Sequence, residues 1–223
     1  MMRIAPMPDY AAQRLNMVES QVRANDVTDI RIHAAMRDIP RERFVPTAKR
    51  AVAYADGAVE VVANRYLLEP RTFAKSVQLA QIAPTDKVLD VGCLTGYSTA
   101  VIARLAAKVI GLEQDADLVR VASDMVPAVG ATNISIVQGS LAEGHRAGAP
   151  YDAIFINGAI EAEPEALLSQ LAEGGRLVAV VQSGEQSRAN LYLRQNGRIG
   201  SRIAFDAWTP LLAGFRQKVG FVF

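Results

Sequence analysis

The sequence predicts an α/β fold: a doubly wound, mostly parallel sheet with an N-terminal helical leader and a C-terminal antiparallel hairpin. Three observations lead there. Between Asp86 and Gln182, short apolar runs alternate with stretches of helical spacing, and strands separated by helices of that length form parallel sheets with right-handed crossovers. Residues 1–84 carry mainly helical patterns. Asn196-Gly197, set between two apolar runs, is a strong hairpin-turn signal. With 223 residues and 50% hydrophobic content, the chain can bury one sizeable core. It reads as one domain, with a leader and substrate loop over 1–84, a ligand-binding core over 85–182 and closing strands over 183–223.

In chain order, Ala12, Leu15, Val18 and Val22 recur at helical spacing from Asp9 to about Ala24. The helix restarts with Thr28 or Asp29 as N-cap and ends at Ile39-Pro40, since proline cannot continue it. Thr47 to Tyr54 reads as a short helix, Gly57 to Val62 as a strand or loop, and Asn64 to Leu68 as a loop. Glu69 to Ala83 is helical, with Pro70 at a tolerated first-turn position. Strands are expected at Val88–Gly92, Val109–Glu113, Ile134–Gln138, Ala153–Asn157 and Arg176–Gln182. Helices are expected at Tyr97–Ala107, Ala116–Val126 and Glu163–Ala172. Leu191–Leu193 and Ile199–Phe205 flank the hairpin turn, and Lys218–Phe223 reads as a last strand.

The stretch Lys87–Tyr97, K-V-L-D-V-G-C-L-T-G-Y, organises the core. A buried strand, a tight turn and a helix start place backbone N–H groups against a ligand. Leu94 and Tyr97 stand where a dinucleotide fingerprint needs glycine, and no Gly-Lys-Ser/Thr phosphate loop occurs. Asp90, two residues before Gly92, would repel a pyrophosphate and suits a cationic ligand. The sulfonium and amino group of S-adenosylmethionine meet that requirement.

A net charge of +1 gives no global case for nucleic acid or an anionic membrane. The distribution is uneven: +3 over residues 1–84, −6 over 85–182 and +4 over 183–223. One cysteine, Cys93, excludes an internal disulfide, and with only His33 and His145 besides, no metal cluster is expected. Neither a signal peptide nor a membrane-length apolar run is seen, so a cytoplasmic protein is expected. His33 and His145 are read as solvated, and Trp208 as a core or lid anchor.

Several stretches jointly resemble the protein-L-isoaspartate O-methyltransferases. They are M-V-E-S-Q-V-R-A-N-D-V-T-D in the leader, R-E-R-F-V-P at 41–46, A-Y-A-D at 53–56, V-L-D-V-G-C-L-T-G-Y, V-I-G-L-E, Y-D-A-I-F-I at 151–156, L-L-S-Q-L-A-E-G-G-R-L-V at 167–178 and F-D-A-W-T-P-L-L at 205–212. The resemblance spans almost the whole chain in order. It implies a Rossmann-like, S-adenosylmethionine-dependent methyltransferase acting on isoaspartyl carboxylates of damaged proteins or peptides, with ligands at the carboxyl ends of the parallel strands. Under that resemblance Asp90 and Gly92 lie near the methionine end of the cofactor, and Gly96 and Tyr97 form the turn and helix start. Glu113, with Gln114 beside it, takes the ribose hydroxyls, since a carboxylate accepts two such bonds in parallel. Ser140 and Leu141 flank adenine, and Asn157 borders the transfer space.

The chain departs from the family pattern at four places. Leu94 replaces a glycine, Ser140-Leu141 an acid-glycine pair, and Asn157-Gly158-Ala159 a Thr-Ala-Ala-type turn. Arg65-Tyr66-Leu67-Leu68-Glu69-Pro70 aligns with Q-T-I-S-Q-P, so Leu68 takes the place of the serine beside the reacting carboxylate. Arg65, Tyr66 and Glu69 are the candidate catalytic residues, Arg65 for an acidic substrate and Tyr66 as a replacement donor. Two alternatives stay open: the same scaffold methylating another acceptor, and a binding module without turnover. The oligomeric state is not legible.

Overall fold

A computed structural model describes residues 9–217. The expected strand over Lys218–Phe223 lies outside those residues. The leader begins with helix α1 (Tyr10–Met17), capped by Asp9 accepting from the Ala12 N–H. It continues as a π turn over Val18–Val22 and a 3₁₀ turn over Arg23–Asn25. Helix α2 (Ile30–Asp38) is capped by Asp29, whose carboxylate accepts from the Arg31 N–H. The Thr47–Val52 segment is a 3₁₀ helix.

Strands β1 (Val59–Val62) and β2 (Arg65–Leu67) form a separate antiparallel hairpin. The sequence reading of 64–68 as a loop is therefore corrected. Asn64 adopts φ +60 and turns the chain back on itself, a conformation asparagine tolerates, and β1 supplies a partner that single-strand periodicity cannot reveal. Helix α3 (Pro70–Leu79) follows with Pro70 in its first turn.

The main sheet has the order β5-β4-β3-β6-β7-β8-β9. Its members are β3 (Lys87–Val91), β4 (Lys108–Glu113), β5 (Ile134–Gln138), β6 (Tyr151–Ile160), β7 (Leu171–Ser183), β8 (Gln186–Gln195) and β9 (Arg198–Asp206). Strands β3 to β7 pair in parallel, and β8 and β9 are antiparallel. The chain runs outward from β3 to β5, then returns to place β6 on the other side of β3. That reversal opens a crevice at the carboxyl ends of the central strands.

Successive strand residues face opposite sides. Val88, Val109, Ala153, Phe155 and Val178 pack into one core with α3, helix α4 (Tyr97–Ile102), helix α5 (Ala116–Met125) and the leader. Leu89, Val91, Ile110, Leu112, Ile154 and Ile156 form the second core. There the expected helix over 163–172 shrinks to α6 (Glu165–Leu168), because Leu171 already pairs with Tyr151 and the Gln170 side chain ties the loop to Glu143 and His145. Residues Leu141, Leu212 and Phe215 complete that cover. Helix α4 is also shorter than its apolar pattern, passing into a turn at Ala103.

The leader is held against the ligand edge. The Thr95 hydroxyl donates to the Phe44 carbonyl at 2.6 Å. Arg41, fully buried, donates to the carbonyls of Ala53 and Leu68 and stacks over the Tyr97 ring. His33 is buried, not solvated, with Nε2 at 2.7 Å from the Val27 carbonyl.

Candidate active site

The turn after β3 requires left-handed backbone three times: Gly92 at φ +74, Leu94 at +54 and Gly96 at +95. Glycine adopts this conformation freely, whereas leucine gives up about 1–2 kcal/mol. Two contacts hold Leu94 there: its side chain is 2% exposed in the core, and its N–H donates to Glu113 Oε2 at 3.0 Å.

Asp90, in β3, is wholly buried. Its Oδ2 accepts from the Ser98 and Thr99 hydroxyls at 2.7 and 2.6 Å, and its Oδ1 from Asn157 Nδ2 at 2.6 Å. Burial nevertheless dominates and pushes its pKa up to about 6. Asn157 reaches Asp90 because β6 carries a bulge between Phe155 and Ala159, and bulges re-aim side chains. Ser98 and Thr99 were not singled out in the sequence, although a hydroxyl pair right after the glycine turn was the available signal.

Glu113 ends β4, one strand over, and is also fully buried. The Arg65 guanidinium holds it in a bidentate pair, Nη1 to Oε1 at 3.0 Å and Nη2 to Oε2 at 2.7 Å. Backbone N–H groups of Leu94, Gln114 and Asp115 donate to the same carboxylate.

Above the turn stands the tail. Ala159 N–H donates to the Pro210 carbonyl and Leu212 N–H to the Ala159 carbonyl, tying residues 210–212 to the end of β6. A Cβ on Gly92 would lie 3.3 Å from both Leu212 methyls and 3.5 Å from Arg65 Nη2. A cleft of about 910 Å³ opens beside these groups, bordered by Arg65, Tyr66, Gln114, Asp115, Trp208 and Leu212. Of the two roles expected for Trp208, core or lid anchor, its 66% exposure excludes the core one; it borders the cleft instead. A small void beneath is lined by Asn157, Arg65, Tyr66 and Thr209, whose buried hydroxyl has no hydrogen-bond partner among the described residues.

Of the singled-out residues, the fold gathers Arg65, Tyr66, Asp90, Gly92, Glu113, Gln114 and Asn157 at one edge. Gly96 shapes the turn but faces Val126 and Ala122, and the remaining candidates lie elsewhere. Glu69 pairs with Arg71. The Tyr97 side chain points into the core between Phe44 and Phe73, so only its backbone serves the turn. Ser140 is exposed and Leu141 is buried in the second core, and neither borders the cleft. Cys93 is buried, and burial raises its thiol pKa well above the ordinary value, leaving it an unreactive core residue.

Two buried carboxylates thus stand near the ends of adjacent strands, beside the glycine turn. Residues 12–207 match the family described as Protein-L-isoaspartate(D-aspartate) O-methyltransferase. The chain is 39% identical over 199 residues to the Protein-L-isoaspartate O-methyltransferase of Koribacter versatilis, covering 88% of this chain and 90% of that one. It is 37% identical over 204 residues to that of Methanoculleus marisnigri, covering 91% and 93%. A Plasmodium falciparum protein solved in complex with S-adenosyl-L-homocysteine shares the fold, with a TM-score of 0.77 at 20% identity over 92% of this chain and 99% of that one.

Proposed function

Because the chain belongs to the protein-L-isoaspartate(D-aspartate) O-methyltransferase family, we propose that it transfers a methyl group from S-adenosylmethionine to isoaspartyl carboxylates of damaged proteins or peptides. The observation that carries this is the placement of Asp90 and Glu113, both fully buried, on the two sides of the Gly92 turn. Glu113 would hold the ribose hydroxyls, and Asp90, braced by Ser98, Thr99 and Asn157, would set negative charge beneath the cationic end. The atoms nearest a Cβ built on Gly92 belong to Leu212 and Arg65, side chains of the covering tail and hairpin. The floor therefore fits the cofactor.

When bound, the cofactor supplies an electrophilic methyl group on a cationic sulfur. The acceptor carboxylate needs no base, since a carboxyl of pKa about 4 is ionised at neutral pH. The protein's own contribution is orientation and exclusion of water. Thr209 and Tyr66 border the void next to Asn157; the unpartnered Thr209 hydroxyl would donate to the acceptor in place of the serine replaced by Leu68. The test is transfer of labelled methyl to an isoaspartyl peptide, with the matching aspartyl peptide as control. Label on the isoaspartyl peptide alone is expected; equal or no transfer to both refutes the acceptor assignment.

A second reading, a ligand-binding member without turnover, is favoured by the Arg65–Glu113 pair and by Leu212 over Gly92. Absence of any calorimetric heat with S-adenosylmethionine up to millimolar concentration would select it. Among the described residues, no helix is long and apolar enough to cross a membrane.

A further inference from the structure

Resting on the cofactor reading above, we propose that Arg65 competes with the cofactor's ribose for Glu113, so that the ligand-free chain caps its own site and the guanidinium must leave before the cofactor binds. Glu113 has two oxygens with roughly four acceptor positions, yet five donors converge on them. Three are backbone N–H groups of Leu94, Gln114 and Asp115, fixed by the turn after β3 and the start of α5. The guanidinium supplies the other two from a rotatable side chain on a different element. It is the only one of these partners that can be exchanged without unfolding the floor.

Position supports the same conclusion. Arg65 Nη2 lies 3.5 Å from where a Gly92 Cβ would stand, so the guanidinium occupies the space between the glycine turn and the carboxylate. A nucleoside held by Glu113 has to cross that space. The β1–β2 hairpin is a separate two-stranded sheet, and Arg65 borders the cleft of about 910 Å³. The side chain thus has an exit toward solvent, where its charge is readily hydrated.

Binding to a minor, uncapped state lowers the apparent affinity by the fraction of molecules in that state. Removing the competitor removes that factor. Arg65→Gln deletes the charge and cannot span both carboxylate oxygens; Arg65→Lys keeps the charge but offers a single point contact. The experiment is calorimetric titration of the intact chain and both variants with S-adenosylhomocysteine, together with the ligand-induced rise in melting temperature. Arg65→Gln is expected to bind at least tenfold tighter than the parent and to show the larger rise, with Arg65→Lys between them.

A folded Arg65→Gln variant that binds no tighter than the parent overturns the competition while leaving the cofactor reading standing. No binding by the parent or either variant at millimolar ligand overturns both. Binding by Arg65→Gln alone supports the competition in its strongest form. Should circular dichroism show Arg65→Gln unfolded, Arg65→Lys decides: tighter binding supports the proposal, and parental affinity overturns it.

Discussion

Asp90 offers a pH test with a defined sign. Its carboxyl is 0% exposed, and burial raises its pKa from an ordinary 3.8 to about 6 despite three donors. The folded state therefore holds a proton between those two values that the unfolded chain has released. The raised folded pKa means that the protein is most stable, as far as this group is concerned, below the unfolded value. Stability then falls as pH rises toward about 6 and levels off above it. A shift of about two units corresponds to roughly 3 kcal/mol.

Asp90→Asn isolates the effect, because the amide does not titrate. Urea midpoints for both proteins at half-unit steps from pH 4 to 8 give a difference curve in which other groups cancel. The parent is expected to lose about 2–2.5 kcal/mol relative to the variant across that window, the rest of the effect lying below pH 4. A flat curve, or a parent that gains relative stability with rising pH, would show that the Ser98, Thr99 and Asn157 donors outweigh burial and that the carboxylate is held as an anion. The same titration predicts weaker binding of a cationic ligand below about pH 6, approaching tenfold per pH unit.

Further expectations concern the turn, the core and the acceptor space. Gly96→Ala places a methyl 2.2 Å from Val126 Cγ2 at φ +95, and a loss of about 3 kcal/mol or more is expected by chemical unfolding. Leu94→Gly relieves about 1–2 kcal/mol of backbone cost but removes a buried side chain worth more, so a net loss of about 1–3 kcal/mol is expected in the same assay. Arg176 pairs with Asp86 and donates to the carbonyls of Ala80, Gln81 and Asp152. Arg176→Met leaves a nearly buried carboxylate unpaired, and a stability loss of about 3–5 kcal/mol should appear as a lowered melting temperature. Thr209→Val keeps shape and removes the free hydroxyl, so kcat/KM for the isoaspartyl peptide should fall roughly tenfold with cofactor affinity unchanged; an unaltered kcat/KM removes Thr209 from acceptor binding.

Local chemistry was enough for the scaffold. Periodicity placed the five parallel strands, Thr28-Asp29 and Pro70 marked helix starts, and Asn196-Gly197 marked the hairpin, because each signal is a property of neighbouring residues. The order of the motifs also located Asp90, Gly92 and Glu113 at one edge. What only the tertiary structure decided was who touches these groups. Arg65 lies 48 residues before Glu113 and Asn157 lies 67 after Asp90. Leu212 reaches Gly92 from a tail that is tied to β6. No spacing rule encodes such meetings: they depend on sheet order, on the bulge in β6 and on the turn at Asn64. The same holds for Tyr97 and Leu141, whose side chains were drawn into the cores because burying apolar surface there outweighs facing a wet cleft. The residues of the floor were legible in the chain; the guanidinium set upon it was a product of the fold.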